Sequence, residues 1–278
     1  MKPFLKWVGG KNQIIETILN KIPKRINNYY EPFLGGGSVL LAVLTSKKVK
    51  GNIYASDSNR YLIGTYQNLQ KYPDELIERL QKLVFRFQNS DQKDFYYAVR
   101  EKFNSLDEEG KISIKGSAFF IFLNKTCYRG IYRESKNGFN VPYGNYHNPK
   151  IFDEEHLKNI SALIQRVIFT AQDFSEVFSS YQEDDFLYLD PPYVEINKTS
   201  FVGYQKEGFD HQKLFNLVKN NDILFLMSNS DVEKVRDEFK EYQKRSFYNI
   251  EIINCRRSIH RNNPASRINE VLINNYIL

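Results

Sequence analysis

The 278-residue chain is short of the residues that build metal centres and disulfide frameworks. It has four histidines and two cysteines, Cys127 and Cys255, far apart and in no paired spacing. That argues against a zinc site or a disulfide scaffold, points to a reducing compartment and leads us to expect chemistry without a metal. No apolar run approaches membrane-spanning length, and Met1-Lys2-Pro3-Phe4-Leu5-Lys6-Trp7 holds no signal-peptide core. A cytoplasmic protein with no membrane partner is expected. Internal repeats, low-complexity tracts and Gly/Ser linkers are also missing. The 41% hydrophobic and 26% charged composition is that of an ordinary globular chain, not of a disordered one.

The formal net charge is +6, a weak lean toward a polyanion, but its distribution is local. From Lys125 to Lys150 the bases Lys125, Arg129, Arg133, Lys136 and Lys150 face one acid, Glu134, and alternate with Tyr128, Tyr132, Phe139, Tyr143 and Tyr146. From Cys255 to Asn269 stand Arg256, Arg257, Arg261 and Arg267 with His260 and no acid. Either run alone is most simply a solvated face. Together they suit a groove-reading hairpin with interleaved aromatics and a loop that grips phosphate.

Periodicity and punctuation predict an α/β fold. A strand near Tyr29–Glu31 meets Phe33-Leu34-Gly35-Gly36-Gly37-Ser38, an apolar helix follows, and a strand near 52–55 leads to Asp57. Strand, glycine turn, helix, strand and acid in that order suit a doubly wound, Rossmann-like sheet. From residue 61 helical patterns take over, and Cys127–Pro149 reads as a β-hairpin turning near Lys136-Asn137-Gly138. Strand patterns resume at 166–170, 186–189, 222–227, 246–253 and 268–276. The expected architecture is one α/β domain in two pieces, 1–60 and 165–278. A helical insert, 61–164, carries the hairpin at about 125–149.

Asp190-Pro191-Pro192-Tyr193 follows the apolar run Phe186–Leu189, so it belongs at a strand's carboxyl end, where open α/β sheets bind ligands. Two prolines stiffen the loop and remove two N–H donors. Its outward groups are acceptors, the Asp190 carboxylate and the Pro191 carbonyl, beside the Tyr193 ring. An adenine amine has its lone pair delocalised into the ring and is a poor nucleophile. Two rigid acceptors on its N–H bonds favour a pyramidal nitrogen, so positioning and fixed dipoles supply the catalysis. Tyr193 is then placed to stack on a base taken out of the duplex. A stiff turn with a capping aspartate explains the tetrapeptide equally well when it is read alone.

The glycine turn offers close backbone approach and amide donors at a helix N-terminus. It lacks the Gly-Lys-Ser/Thr of a phosphate loop, and Leu40 occupies the position of a dinucleotide fingerprint's third glycine. A methionine carboxylate is the more plausible tenant. Asp57 is placed to accept from ribose hydroxyls, and Asp173 from an adenine amine with Phe174 against the ring.

These motifs together resemble the Dam-type (α-group) DNA adenine-N6 methyltransferases: Lys6–Lys11, Glu31–Gly37, Asn140-Val141-Pro142-Tyr143-Gly144, Asp190–Tyr193 and Ser228-Asn229-Ser230, in the family's order. The resemblance implies an S-adenosylmethionine-dependent methyltransferase sheet with an inserted target-recognition domain, acting on double-stranded DNA. It implies that Trp7, Lys11, Phe33, Gly35, Gly37, Asp57, Asp173, Phe174 and Asp190 enclose S-adenosylmethionine. Asp190, Pro191, Pro192 and Tyr193 would hold the target adenine. It further implies a GATC site, or a longer site beginning with GAT. Lys6 and Arg133 then meet guanines while Ile131 and Pro142 meet a thymine methyl, pairings the major groove makes readable. Tyr146 and Arg129 share that face, with Arg256, Arg257, Arg261 and Arg267 on the backbone. Two departures lie there: Asn145 where relatives often have arginine, and Arg129 where others have asparagine. Neither cysteine follows a proline, unlike the nucleophile of cytosine-C5 methylation. An RNA or protein-glutamine methyltransferase, or a DNA-binding regulator without catalysis, is the alternative. Whether a restriction endonuclease acting on the same site accompanies the protein is not legible in the residues.

Overall fold

The computed structural model describes residues 1–179, 181–195, 208–240, 248–256 and 267–277. After a 3-10 turn at Lys11–Gln13, helix α1 (Ile15–Lys21) stops at Ile22, whose extended conformation (φ −68°, ψ 128°) is the one Pro23 imposes on its predecessor. Strand β1 (Tyr29–Glu31), buried throughout, runs into the glycine turn and helix α2 (Ser38–Ser46), and β2 (Ile53–Asp57) follows.

A helical stretch comes next: α3 (Arg60–Lys71), α4 (Pro73–Gln88), α5 (Gln92–Asn104), α6 (Glu108–Ile112) and α7 (Ile114–Thr126). Its starts are chemically marked. Asn59 accepts from the amides of Tyr61 and Leu62, Pro73 opens α4, and Asp91, Asp107 and Ser113 cap the other three. Helix α3 also lies on the sheet: Tyr66 stacks on Phe169 at 5.2 Å, and Gln67 donates to the Phe169 carbonyl at 2.9 Å.

The hairpin is smaller than the sequence suggests. Strands β3 (Glu134–Ser135) and β4 (Gly138–Phe139) have two residues each, around the expected turn. Cross-links from the helices hold the remainder in place of ladder pairing. Asn104 bonds the Phe139 amide and carbonyl at 2.9 Å each, and Tyr96 donates to the Val141 carbonyl at 2.7 Å. Phe139 and Val141 are buried among these helices, so packing fixes the segment where pairing is short. A bridge between Cys127 and Tyr143 closes its base.

Helix α8 (Glu154–Leu163) leads to β5 (Val167–Ala171) and β6 (Phe186–Leu189); α9 (His211–Asn220), β7 (Leu224–Ser230), α10 (Glu233–Lys240), β8 (Asn249–Arg256) and β9 (Arg267–Asn274) complete the fold. The seven strands form one sheet in the order β5-β2-β1-β6-β7-β9-β8. All are parallel except β9, which runs antiparallel to both its neighbours. Successive side chains take opposite faces. Tyr29, Phe186, Tyr188, Leu226 and Leu272 join the core that extends into the helical stretch, while Tyr30, Leu187, Leu189, Phe225 and Ile273 join the core beneath α9 and α10. Both faces are thus covered, which is why the central strands read as unbroken apolar runs. Among the described residues no helix is long and apolar enough to cross a membrane.

Candidate active site

Because β1 pairs with β2 on one side and β6 on the other, the chain's winding reverses there, and a crevice opens at the strands' carboxyl ends. It is a cleft of about 930 Å³ that takes in the glycine turn, Asp57, Asp173 and the Asp190 loop.

The turn is built by conformation and by contact. Gly35 and Gly37 adopt φ of 47° and 70°, and the Gly37 amide closes the turn on the Leu34 carbonyl at 2.8 Å. A Cβ on Gly35 would lie 2.8 Å from Cδ1 of Trp7, so the indole rests directly on the turn. Trp7 in turn stacks on Tyr132 of the hairpin segment, centroids 6.2 Å apart. Gly37 stands a step back: it is not among the cleft-lining residues, and its missing Cβ leaves room for Tyr66 Oη. Asp57 accepts from the Gly35 and Asn59 amides at 3.0 Å each, so it braces the turn while facing the cleft. Burial raises its carboxyl despite those bonds.

One wall is aromatic. Phe33 and Phe174 stack at 5.4 Å, and Phe209, just before α9, packs on both at 5.6 and 5.2 Å. Asp173 accepts from Lys213 at 3.0 Å. Phe209 has no sequence signal; it lies far along the chain from the motifs and reaches the slot only because α9 begins there.

On the opposite wall the Asp190 carboxylate holds two partners on one oxygen. Lys11 Nζ lies 2.7 Å from Oδ1, and Ser228 Oγ donates to it at 2.9 Å. Lys11 is buried, also donates to the Gly9 carbonyl at 2.6 Å, and sits 4.9 Å over the Tyr193 ring. Pro191 is buried, while Pro192 and Tyr193 are partly so. Tyr193 donates to Glu270 on β9 at 2.8 Å, a partner the sequence did not indicate.

Glu31 lines the same cleft. Burial first, with the Asp190 charge adding and the Tyr29 hydroxyl opposing, pushes its carboxyl up to about 8. A carboxyl raised on folding supports the fold at low pH, and that support is lost as pH rises through about 8. Glu31→Gln is therefore expected to flatten the fall in melting temperature between about pH 4.5 and pH 8. A fall as steep in the variant as in the parent would contradict this.

Several of the residues expected on DNA are chain neighbours of cleft-lining ones, Lys6 beside Trp7 and Ile131 and Arg133 beside Tyr132. Lys6 Nζ lies 4.2 Å over the Tyr146 ring and donates to the Lys125 carbonyl at 3.2 Å, and a Cβ on Gly130 would meet its stem. Burial lowers the Lys6 ammonium. Arg133 Nε donates to Asn140 at 2.7 Å; Arg133 and Pro142 are exposed and Ile131 is half-buried. Arg129 is left-handed (φ 58°), its amide donating to Tyr146 Oη at 2.8 Å, and Asn145 is left-handed as well. An asparagine tolerates that conformation more readily than an arginine. Arg267, exposed at the start of β9, donates to the Asn254 carbonyl at 2.9 Å. Arg256 ends β8 on the paired strand, and Arg257 and Arg261 lie outside the described residues.

Residues 7–259 match the family described as D12 class N6 adenine-specific DNA methyltransferase. The chain is 39% identical over 293 positions to the type II methyltransferase M.MjaIII of Methanocaldococcus jannaschii, with 99% of each chain covered. It is 31% identical to a type II methyltransferase of Lactococcus lactis subsp. cremoris, covering 99% of this chain and 96% of that one. It is 32% identical to a DNA adenine methylase of Haemophilus influenzae, with 96% and 90% covered. With nearly its whole length matched, the chain belongs to the D12 class of N6 adenine-specific DNA methyltransferases.

Proposed function

We propose that the protein methylates adenine N6 within GATC, or within a longer site beginning with GAT, after flipping the adenine out of duplex DNA into the cleft. The observation that carries this reading is that the Gly35–Gly36 turn and the Asp190 carboxylate open onto one cleft, with the hairpin segment at its rim through Tyr132 and Glu134. Methyltransferase membership implies S-adenosylmethionine, and the residues fit it. A glycine turn beneath Trp7, where the backbone can be approached closely, suits the methionine end, and Asp57 suits the ribose. The Phe33–Phe174–Phe209 slot, with Asp173 at its edge, suits the adenine. Bound there, the cofactor supplies an electrophilic methyl group.

The chain's own residues then act by placement. Asp190 and the Pro191 carbonyl accept the two N–H bonds of the amine, Pro192 stiffens the loop, and Tyr193 packs on the flipped base. The 61–164 segment serves as the target-recognition domain. Lys6 and Arg133 read guanines, and Ile131 and Pro142 contact the thymine methyl. Arg129 and Tyr146, with Arg256, Arg257, Arg261 and Arg267, hold the backbone. The contact of Lys6 with Tyr146 supports this grouping, since it brings an N-terminal residue onto the hairpin's face.

Transfer of a labelled methyl from S-adenosylmethionine to duplex oligonucleotides with and without GATC tests the reading. Label is expected as N6-methyladenine in the GATC duplex alone, and Arg133→Ala is expected to weaken discrimination at one guanine by roughly 1–3 kcal/mol. Equal labelling of both duplexes would overturn the GATC assignment.

A further inference from the structure

We propose that Ser228 is a positioning residue for methyl transfer: its hydroxyl, oriented by Tyr188, fixes the rotation of the Asp190 carboxylate that receives the adenine amine. The inference rests on the role given above to Asp190. The parallel register pairs Leu189 with Met227, so the next residues along, Asp190 and Ser228, lie opposite each other where β6 ends and β7 runs on to Ser230.

Ser228 is wholly buried and has one proton to give. Its Oγ stands 2.9 Å from Asp190 Oδ1 and 3.4 Å from the Leu189 carbonyl. The Tyr188 hydroxyl, on a ring with no solvent exposure, lies 3.3 Å from the same Oγ. Donation from the phenol into Ser228 satisfies the buried tyrosine and leaves the serine proton for Asp190, the shorter of its two options. Lys11 meets the same Oδ1 from the other side at 2.7 Å. Lysine brings charge on a flexible stem, whereas Ser228 brings direction from the rigid end of a central strand. Two donors converging on Oδ1 from separate elements resist rotation of the carboxylate and leave the second oxygen for the amine.

The same strand end also holds the far side of the loop. Asn229 Oδ1 accepts the Val194 amide at 3.0 Å, and Ser230 Oγ donates to the Val194 carbonyl at 2.6 Å. Successive residues of β7 thus anchor both ends of the Asp190–Val194 segment, and placement of the reacting group is what catalysis by orientation demands.

Single-turnover methylation of a GAT-containing duplex, at saturating cofactor and DNA, tests the proposal in the full chain. Ser228→Ala is expected to slow the step roughly 10- to 100-fold. Equilibrium affinities for S-adenosylmethionine and DNA should stay within about twofold of the parent. Ser228→Thr, which keeps the hydroxyl, is expected to restore most of the rate. Tyr188→Phe, which removes only the orienting donor, should lose less than Ser228→Ala in the same direction. A parental rate in Ser228→Ala, in a background where Asp190→Ala is inactive, would overturn the proposal and leave the role of Asp190 intact. So would a loss shared equally by rate, affinities and melting temperature without rescue by threonine. Undiminished activity of Asp190→Ala would overturn both.

Discussion

Replacing Asp190 by asparagine is expected to lower the single-turnover rate of adenine methylation by about 100-fold or more while S-adenosylmethionine still binds. In the role proposed for it, the carboxylate offers the amine a charged acceptor in a cleft where donors and acceptors are already oriented, and such groups count for more there than in water. An amide keeps the shape but substitutes a donor for one acceptor, so one N–H of the adenine meets an N–H. Alanine should be as inactive and less stable, for a separate reason. Lys11 is buried and ion-paired to Asp190, and deleting its partner leaves an uncompensated charge. Asparagine retains an oxygen for Lys11 and Ser228. A melting temperature that falls further for Asp190→Ala than for Asp190→Asn, with both inactive, separates the two effects. A variant that methylates at the parental rate would remove Asp190 from the chemistry.

The second large effect is expected at the glycine turn. Gly35→Ala places a methyl group 2.8–2.9 Å from the Trp7 indole on a residue whose φ is +47°. A left-handed non-glycine residue costs about 1–2 kcal/mol, and the indole has little room to retreat because Tyr132 stacks on it. The Gly35 amide also donates to Asp57, so the distortion passes to the acid assigned to the ribose. S-adenosylmethionine affinity, followed by calorimetry without DNA, is expected to fall roughly tenfold or more, corresponding to about 1.4 kcal/mol. Unchanged affinity would mean that the turn does not hold the cofactor.

Much of this was legible in the residues because the signals are local. Phe186–Leu189 is a strand buried on both faces, and only an unbroken apolar run suits that setting. Asn59, Asp91 and Ser113 announce helices through side chains that reach their own neighbouring amides. The hairpin was less legible. Its glycine and asparagine punctuation suggests a hairpin over some twenty positions, yet only its tip forms a ladder, because Asn104 and Tyr96 on α5 take the backbone groups a partner strand would use. The resemblance implied a place for Gly37 beside the cofactor, and the structure adds what the sequence could not, a left-handed backbone with the Tyr66 hydroxyl behind it.

The sequence by itself determined the types and order of the elements, the stiff acceptor loop, the glycine turn and the basic, aromatic hairpin segment, since each follows from the conformational and bonding preferences of residues near one another. Only the tertiary structure decided which distant groups meet. Placing β1 between β2 and β6 sets the turn against the acceptor loop, and the alignment of β6 with β7 puts Ser228 opposite Asp190. Packing carries Lys11 to the same carboxylate, Phe209 to the aromatic slot and Tyr132 to Trp7. Those pairings arise from strand order and from the burial of both sheet faces, which are properties of the whole chain that no short stretch of it encodes.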